Sequence, residues 1–425
     1  EEFIRIFHLD CGRKYFSVEQ IEAIIDQLAA NHYTHIELAF GNDGFRFLLD
    51  DMSVGGYTSD EVKSAIQVGN SKDHLAKSSG TLSETDMNTI IAYAQKNGIG
   101  VIPMIDVPGH TNTLIFAMNN LGFNLKENTD YKNTNKNNAG NKTYAFKVSD
   151  DNGTANAQTQ FVVALVKKYV DYFAQKDSAY FNIGADECGY DGFVTISDLE
   201  SYLLNPLAEH IVGQNMKPMI FNDGFRSGGL DGSLNSSFIV CYWEYQDGYK
   251  TPVELMSASY KVINTHNKWY YVAGNSSTST SDSNWFGYGW ALNNINKNYR
   301  DCTACDNSGT TETGCMLAYW CDNPAATYDE AEKTRVSTLI QALANQNHDY
   351  FKAAEETPLP SIVIGGNNTE LTVGENVIMS TSDGSLAEWT SSNTEVLTLK
   401  DNDAAEKALL SKTSSVTVTA VGAGE

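Results

Sequence analysis

Residues 180–192 read YFNIGADECGYDG. An apolar run ends at Gly184, and two carboxylates, Asp186 and Glu187, then stand side by side among small residues. A short, continuous apolar run bounded by glycine is the pattern of a strand buried on both faces. Seven more such runs are spread along the chain: FIRIFHLD (3–10), THIELAF (34–40), GVIPMID (100–106), KPMIFND (217–223), FIVCYW (238–243), KVINTH (261–266) and CMLAYW (315–320). Between most of them lie amphipathic stretches, among them SVEQIEAIIDQLAANH (17–32), TLSETDMNTIIAYAQKNG (81–98) and AQTQFVVALVKKYVDYFAQK (157–176). Ser17 with Gln20, and Thr81 with Glu84, have the spacing of a helix-starting capping box. Eight buried strands alternating with helices predict an α/β fold whose parallel sheet closes into a (β/α)8 TIM barrel. A doubly wound open sheet is the competing architecture, but no glycine-rich phosphate loop follows the first strand.

Two long insertions, residues 43–80 and the Asn-rich 122–153, lie on the side of the barrel where loops build sites. Beyond Pro360 the pattern changes to short alternating segments without a helix signature, which predicts a small β-sandwich. The division expected is therefore a catalytic barrel over 1–357 and a β module over 358–425. The chain opens inside FIRIFHLD and stops inside SVTVTAVGAGE, so both ends read as cut, the β module reads as truncated, and a missing targeting signal carries no weight.

The chain has 425 residues and a formal charge of −24, with 53 acidic against 29 basic side chains. Such a surface repels phosphate backbones and anionic headgroups, so nucleic acid and membrane surfaces are not expected as partners. No run approaches the ~20 apolar residues that a membrane-spanning helix needs. The seven cysteines are an odd number, which rules out a fully paired disulfide framework. Cys302 and Cys305 form a C-x-x-C followed by Cys315 and Cys321, but the second pair lacks zinc-site spacing and Cys321 ends an apolar run, so buried thiols are expected rather than a metal. No cofactor is called for.

In a barrel of this kind the site is built where the strands end. Those tips carry Asp10 with Arg13, Asn42 and Asp43, Asp106 with His110, Asp186 with Glu187, Asn222 and Asp223, Trp243, Tyr270, and Trp320 with Asp322. Singly each is unremarkable, since Asp and Asn cap helices and Trp packs in cores. Together, carboxylates, a guanidinium, an imidazole and aromatic rings around one mouth describe a sugar site: rings cover the C–H faces of a pyranose, and the charged groups bind its hydroxyls.

The segments LDCGRKYF, MIDVPGHT, NIGADE, FNDGF, NKWYYV and LAYWCDNP resemble the motifs of family 20 glycoside hydrolases, the β-N-acetylhexosaminidases. The likeness spans roughly residues 3–352 and is greatest to the exo-β-N-acetylglucosaminidase modules of bacterial surface proteins. The resemblance implies a retaining enzyme acting on glycans, in which the substrate's own 2-acetamido group is the nucleophile and an oxazolinium ion the intermediate. It implies that Glu187 is the general acid, with a raised pKa, and that Asp186 orients and stabilises the acetamido group. Tyr270, with Tyr271 as its rival, would hold the acetamido carbonyl. Arg13 and Asp322 would bind hydroxyls of the terminal sugar, Trp243 and Trp320 would wall the pocket, and His110 with Asp106 would tune the acid. Asn42 and Asp43 are further binding candidates. Asn222 and Asp223 stand where many members have Trp-Asp-Glu, which leaves the pocket shape there open. The pieces LTVGE, WTSSNTEVLTL and VTAVGAG resemble a group 2 bacterial immunoglobulin-like repeat, so a secreted or cell-surface bacterial protein, part of a larger one, is implied. The rival readings are a lacto-N-biosidase, which releases a disaccharide by the same mechanism, and a surface protein that binds carbohydrate without cleaving it.

Overall fold

The computed structural model describes residues 3–73, 80–134, 142–188, 193–224, 233–244, 249–266, 271–273, 287–294 and 313–345, together with strand segments between 362 and 420. Two compact units divide it, Glu1–Lys352 and Ala353–Glu425.

The first unit is built on barrel strands β1 (Ile4–Leu9), β2 (His35–Asn42), β3 (Gly100–Val107), β4 (Tyr180–Gly184), β5 (Lys217–Phe221), β6 (Ile239–Tyr242), β7 (Lys261–Asn264) and β8 (Gly314–Trp320). Each pairs in parallel with its neighbour, and β1 pairs with both β2 and β8, so the eight-stranded sheet closes and leaves no edge. The register at the closure runs from Ile4 opposite Gly314 to Leu9 opposite Tyr319. Side chains alternate between two apolar layers. Ile6, Ala39, Ile102, Met104, Met219 and Met316 belong to the cluster that fills the lumen. Phe7, Leu38, Ile105, Phe181 and Leu317 belong to the larger cluster shared with the helices. The continuous apolar runs of the sequence thus arise because both strand faces are buried.

Helices α1 (Val18–Ala30), α2 (Glu84–Lys96), α3 (Ala157–Ala174), α4 (Asn205–Gly213) and α5 (Glu330–Asn345) flank the barrel strands in sequence. Helix α1 starts on the expected capping box, Ser17 with Gln20. Helix α2 does not start at Thr81: its cap is Ser83, with Asp86 closing the box. Asp at the third position reaches back as Glu does, and Glu84, the acid of the expected box, instead accepts the Asp50 N–H at 2.8 Å. The 43–80 insertion holds a helix, Ser59–Lys72, and the 122–153 insertion a short antiparallel pair, Tyr131–Asn133 with Tyr144–Phe146. No helix among the described residues is long and apolar enough to cross a membrane.

The second unit holds a four-stranded antiparallel sheet, Ile362–Ile364, Asn376–Thr381, Ser415–Ala420 and Leu397–Asp401 in spatial order, and a second pair, Ala387–Thr390 with Leu409–Thr413.

Candidate active site

The tips of β1, β2, β3 and β8 converge on Arg13. Its Nε donates to Asp43 Oδ2 at 2.8 Å, and its Nη1 reaches Asp322 Oδ1 at 3.0 Å and Asp10 Oδ2 at 3.3 Å. Its Nη2 lies 3.0 Å from His110 Nδ1. Burial works against the guanidinium's charge, but Asp43, Asp10 and Asp322 outweigh it and hold Arg13 protonated. Asp10 is fixed in turn: Oδ2 accepts the Cys321 N–H at 2.9 Å and Oδ1 the Arg13 N–H at 3.1 Å. The Asp322 side chain remains 51% exposed, which leaves it at the mouth.

His110 is the hinge of the arrangement. Its Nδ1 also lies 3.2 Å from Asp43 Oδ2, so it donates to Asp43 when protonated there and accepts from Arg13 when bare. Its Nε2 faces Asp186 Oδ2 at 3.6 Å and Glu187 Oε2 at 3.4 Å. Burial disfavours the imidazolium, yet the charge and hydrogen bond of Asp43, then the bond to Glu187, push its pKa well up. Asp43 itself is fully buried; Arg13 and then His110 overcome that burial and pull its carboxyl down to about 2. The sequence expectation paired His110 with Asp106. The hydrogen-bonded carboxylate is Asp43, because the Asp43 N–H donates to His110 O at 2.6 Å and draws the second and third tips together. Asp106 instead accepts the Asp186 N–H at 3.2 Å.

The acid pair stands on a strained turn. Gly184, Ala185 and Glu187 have φ of +69, +60 and +45°, a left-handed region costly for the two that are not glycine. A Cβ at Gly184 would sit 2.2 Å from Asp106 Oδ1, so only glycine fits there. Every backbone N–H from 184 to 187 is tied: Gly184 to Asn182 Oδ1 at 2.9 Å, Ala185 to Ile183 O at 3.0 Å, Asp186 to Asp106 Oδ1 at 3.2 Å, and Glu187 to Asp223 Oδ2 at 2.8 Å. Neighbours on a regular strand would point apart; the turn folds both carboxylates onto one imidazole. Asp186 is buried, and burial followed by the Asp223 charge pushes its pKa well up. Glu187 goes the other way from the expectation. Burial would raise it, but the hydrogen bond and charge of His110, then the Arg13 charge, hold it below the usual value, with 37% of the side chain open to solvent.

Asp223 links this turn to the sixth tip, accepting from Trp243 Nε1 at 3.0 Å. Asn222 fixes the same segment: its Oδ1 takes the Trp243 N–H at 2.8 Å and its Nδ2 donates to Glu244 O at 2.7 Å. Both thereby tie the acid turn to the sixth tip. The Trp320 ring packs on His8 at 4.1 Å and Phe221 at 5.8 Å, with Arg13 5.9 Å from its centre. Asn42 is fully buried at the second tip. Tyr270 lies outside the described residues; Tyr271 begins a strand segment, Tyr271–Ala273, paired with β8. Cys302 and Cys305 also lie outside them, while Cys315 and Cys321 are buried and not joined by a disulfide. Asp106, His110 and Asp186 bring one ligand atom each within 4.8 Å of one another. A cation there would compete with the imidazolium that Asp43 favours. Residues that the sequence reading did not single out include Asn182, Glu37 and His8, polar positions inside apolar runs, which was the available signal.

The glycosyl hydrolase family 20 catalytic domain matches residues 4–327. The pneumococcal exo-β-D-N-acetylglucosaminidase StrH, in a structure of its tandem GH20 catalytic modules, superposes with a TM-score of 0.69 at 29% identity, covering 82% of this chain and 86% of that one. Beta-hexosaminidase B of Pseudoalteromonas piscicida is 32% identical over 123 residues, 27% of this chain and 16% of that protein. The lacto-N-biosidase of Bifidobacterium bifidum is 24% identical over 273 residues, 58% of this chain and 22% of that protein. The chain thus spans less than a quarter of the length of either curated relative. With the matching domain laid over a closed eight-stranded barrel and a carboxylate pair at its mouth, the chain belongs to glycosyl hydrolase family 20 and is a glycoside hydrolase.

Proposed function

We propose that this chain is a retaining exo-β-N-acetylhexosaminidase that releases terminal β-linked N-acetylglucosamine from glycans by substrate-assisted catalysis. The observation that carries the reading is the pair of unlike carboxylates, Asp186 buried and Glu187 open to the mouth, facing one imidazole nitrogen at 3.6 and 3.4 Å. Two carboxylates flanking a bond from opposite sides, about 5 Å apart, would suit double displacement. Two on one turn suit a division of labour instead. Glu187 donates a proton to the leaving glycosidic oxygen as the acetamido carbonyl oxygen bonds to C1 and the C1–O bond breaks. Asp186 accepts the acetamido N–H and stabilises the positive charge of the oxazolinium. Glu187, now ionised, takes a proton from the water that opens the ring at C1, which restores the configuration and the acid. Tyr270 is our candidate for donating a hydroxyl to the acetamido carbonyl.

These roles require Glu187 protonated and Asp186 ionised, the reverse of the bias in the free protein. Bound substrate supplies the exchange. An N–H donor at Asp186 favours its charge, and expulsion of water from Glu187 favours its neutral form. Arg13, clamped to Asp322 across the mouth, suits a pocket closed behind one sugar, which favours exo-action over release of a disaccharide. Trp243 and Trp320, at the sixth and eighth tips, are our candidates for covering the ring faces. The intact acid pair argues against a purely binding protein. The resemblance of 358–425 to an immunoglobulin-like repeat supports a bacterial secreted or cell-surface location within a larger protein. Hydrolysis of an aryl N-acetyl-β-glucosaminide with release of the β-anomer tests the reading. An inverted product, or turnover only of a β-linked disaccharide glycoside, would overturn it.

A further inference from the structure

Among the described residues, three polar side chains interrupt the apolar lumen: His8 on β1, Glu37 on β2 and Asn182 on β4, each 0% exposed. His8 Nδ1 lies 2.6 Å from Glu37 Oε1, and Asn182 Nδ2 donates to Glu37 Oε2 at 3.0 Å. Nothing in barrel closure calls for them, since Ile6, Ile102 and Met316 fill the same lumen with hydrocarbon. Burying a carboxylate in such a place is costly even when it is paired, so the group is poorly explained by stability.

Its other end reaches the acid turn. Glu37 Oε2 accepts from the NH2 of Asn182, which aims Oδ1 of that amide the opposite way. There Oδ1 takes the N–H of Gly184 at 2.9 Å, the first residue of the turn that carries Asp186 and Glu187. Because Gly184, Ala185 and Glu187 are all left-handed, the path of the turn depends on its backbone anchors, and this is the first of the four. On the far side, the His8 ring packs on Trp320 at 4.1 Å.

We propose that Glu37 and Asn182, anchored by His8, are positioning residues for the acid pair: a buried carboxylate orients an amide that sets the turn beneath Asp186 and Glu187, and the same carboxylate's histidine seats the Trp320 wall. This rests on the reading of Glu187 as the general acid. None of the three touches the mouth; they act through Gly184 and Trp320.

The test is Glu37→Gln, which keeps the shape but turns one of the two acceptor oxygens into an NH2 donor, so that His8 and Asn182 can no longer both face an acceptor, beside Asn182→Ser, which leaves the His8–Glu37 pair whole. Met219→Ala, a lumen change outside the network, supplies the control for lost stability. kcat and KM are measured on phenyl and 2,4-dinitrophenyl N-acetyl-β-glucosaminides. Displacing a reacting group by about 1 Å costs ~100-fold, so a tenfold or greater fall in kcat on the phenyl glycoside is expected, with KM changed less than about threefold. The fall on the dinitrophenyl glycoside, which needs little protonation, should be smaller. Met219→Ala should lower thermal stability without that split. Should Glu37→Gln fail to fold, Asn182→Ser reads the same contact. Wild-type kcat in both network variants, or equal losses on the two substrates that Met219→Ala reproduces, overturns the proposal. A failure of the acid reading itself is separate, because Glu187→Gln would then lose both substrates equally.

Discussion

Replacing Asp43 by Asn removes the carboxylate on which both Arg13 and His110 close. A carboxyl moved from 3.8 to about 2 on folding contributes about 2 kcal/mol at neutral pH. Removing one member of a buried charged group costs ~3–5 kcal/mol when its partner is left bare, but Asp10 and Asp322 still hold Arg13. The expected loss is therefore near the lower figure, roughly 2–3 kcal/mol. The pH dependence gives the sharper signature. The folded-state pKa is depressed, so the stabilisation is fully present above the unfolded value and is lost as pH falls through about 2. Urea unfolding followed by tryptophan fluorescence should show a gap between wild type and Asp43→Asn that widens from neutral pH down to ~5, where Asp43 keeps His110 protonated in the folded state, and narrows as the pH falls further through the carboxyl range. A variant with the wild-type midpoint at neutral pH, or a gap that does not change on acidification, would refute the assignment of Asp43 as the buried anchor.

Glu187→Gln should abolish most hydrolysis of natural glycosides but spare much of it on the dinitrophenyl glycoside; equal loss on both removes Glu187 from the acid role. His110→Gln removes the charge that holds Glu187 down. Activity that needs protonated Glu187 is lost as pH rises through its pKa, so the basic limb of kcat/KM should move to higher pH; a limb that stays or moves down contradicts the cause given for the shift. Asp186→Asn should slow cleavage with little change in affinity for N-acetylglucosamine, and a thiazoline mimic of the cyclised intermediate should bind wild type far more tightly than that sugar does. A chain ending at Thr357 should keep its turnover, since no residue of 358–425 matches a site motif, and chelators should leave activity intact; a large fall in either measurement counts against the site as described.

The barrel was legible because each strand is apolar on both faces, which leaves a short uninterrupted run that few other structures produce. The candidate site was legible for a related reason: a polar residue at the end of such a run, as with Asp10, Asp106 or Asp186, marks a strand tip. What joins those tips was not. Asp43 and Asp106 are both acids near His110, and only the backbone bond from Asp43 to His110 O decides which one binds the imidazole. The left-handed turn at 184–187 was equally hidden, because Ala185 and Glu187 carry no signal for a positive φ. The Glu187 direction failed with it: burial was foreseeable from sequence, whereas a histidine charged by a third residue was not. The start of α2 was misplaced by two residues, from Thr81 to Ser83, because two capping boxes overlap.

Substrate assistance is tested most directly by a series of aryl β-glucosaminides whose N-acyl groups carry zero to three fluorines. Each fluorine withdraws electrons from the carbonyl oxygen that would attack C1, while the leaving group stays the same. If that oxygen is the nucleophile, kcat/KM falls steeply and regularly along the series. A flat series, or a fluorosugar trapped as an ester on Asp186 or Glu187, would make a protein carboxylate the nucleophile instead.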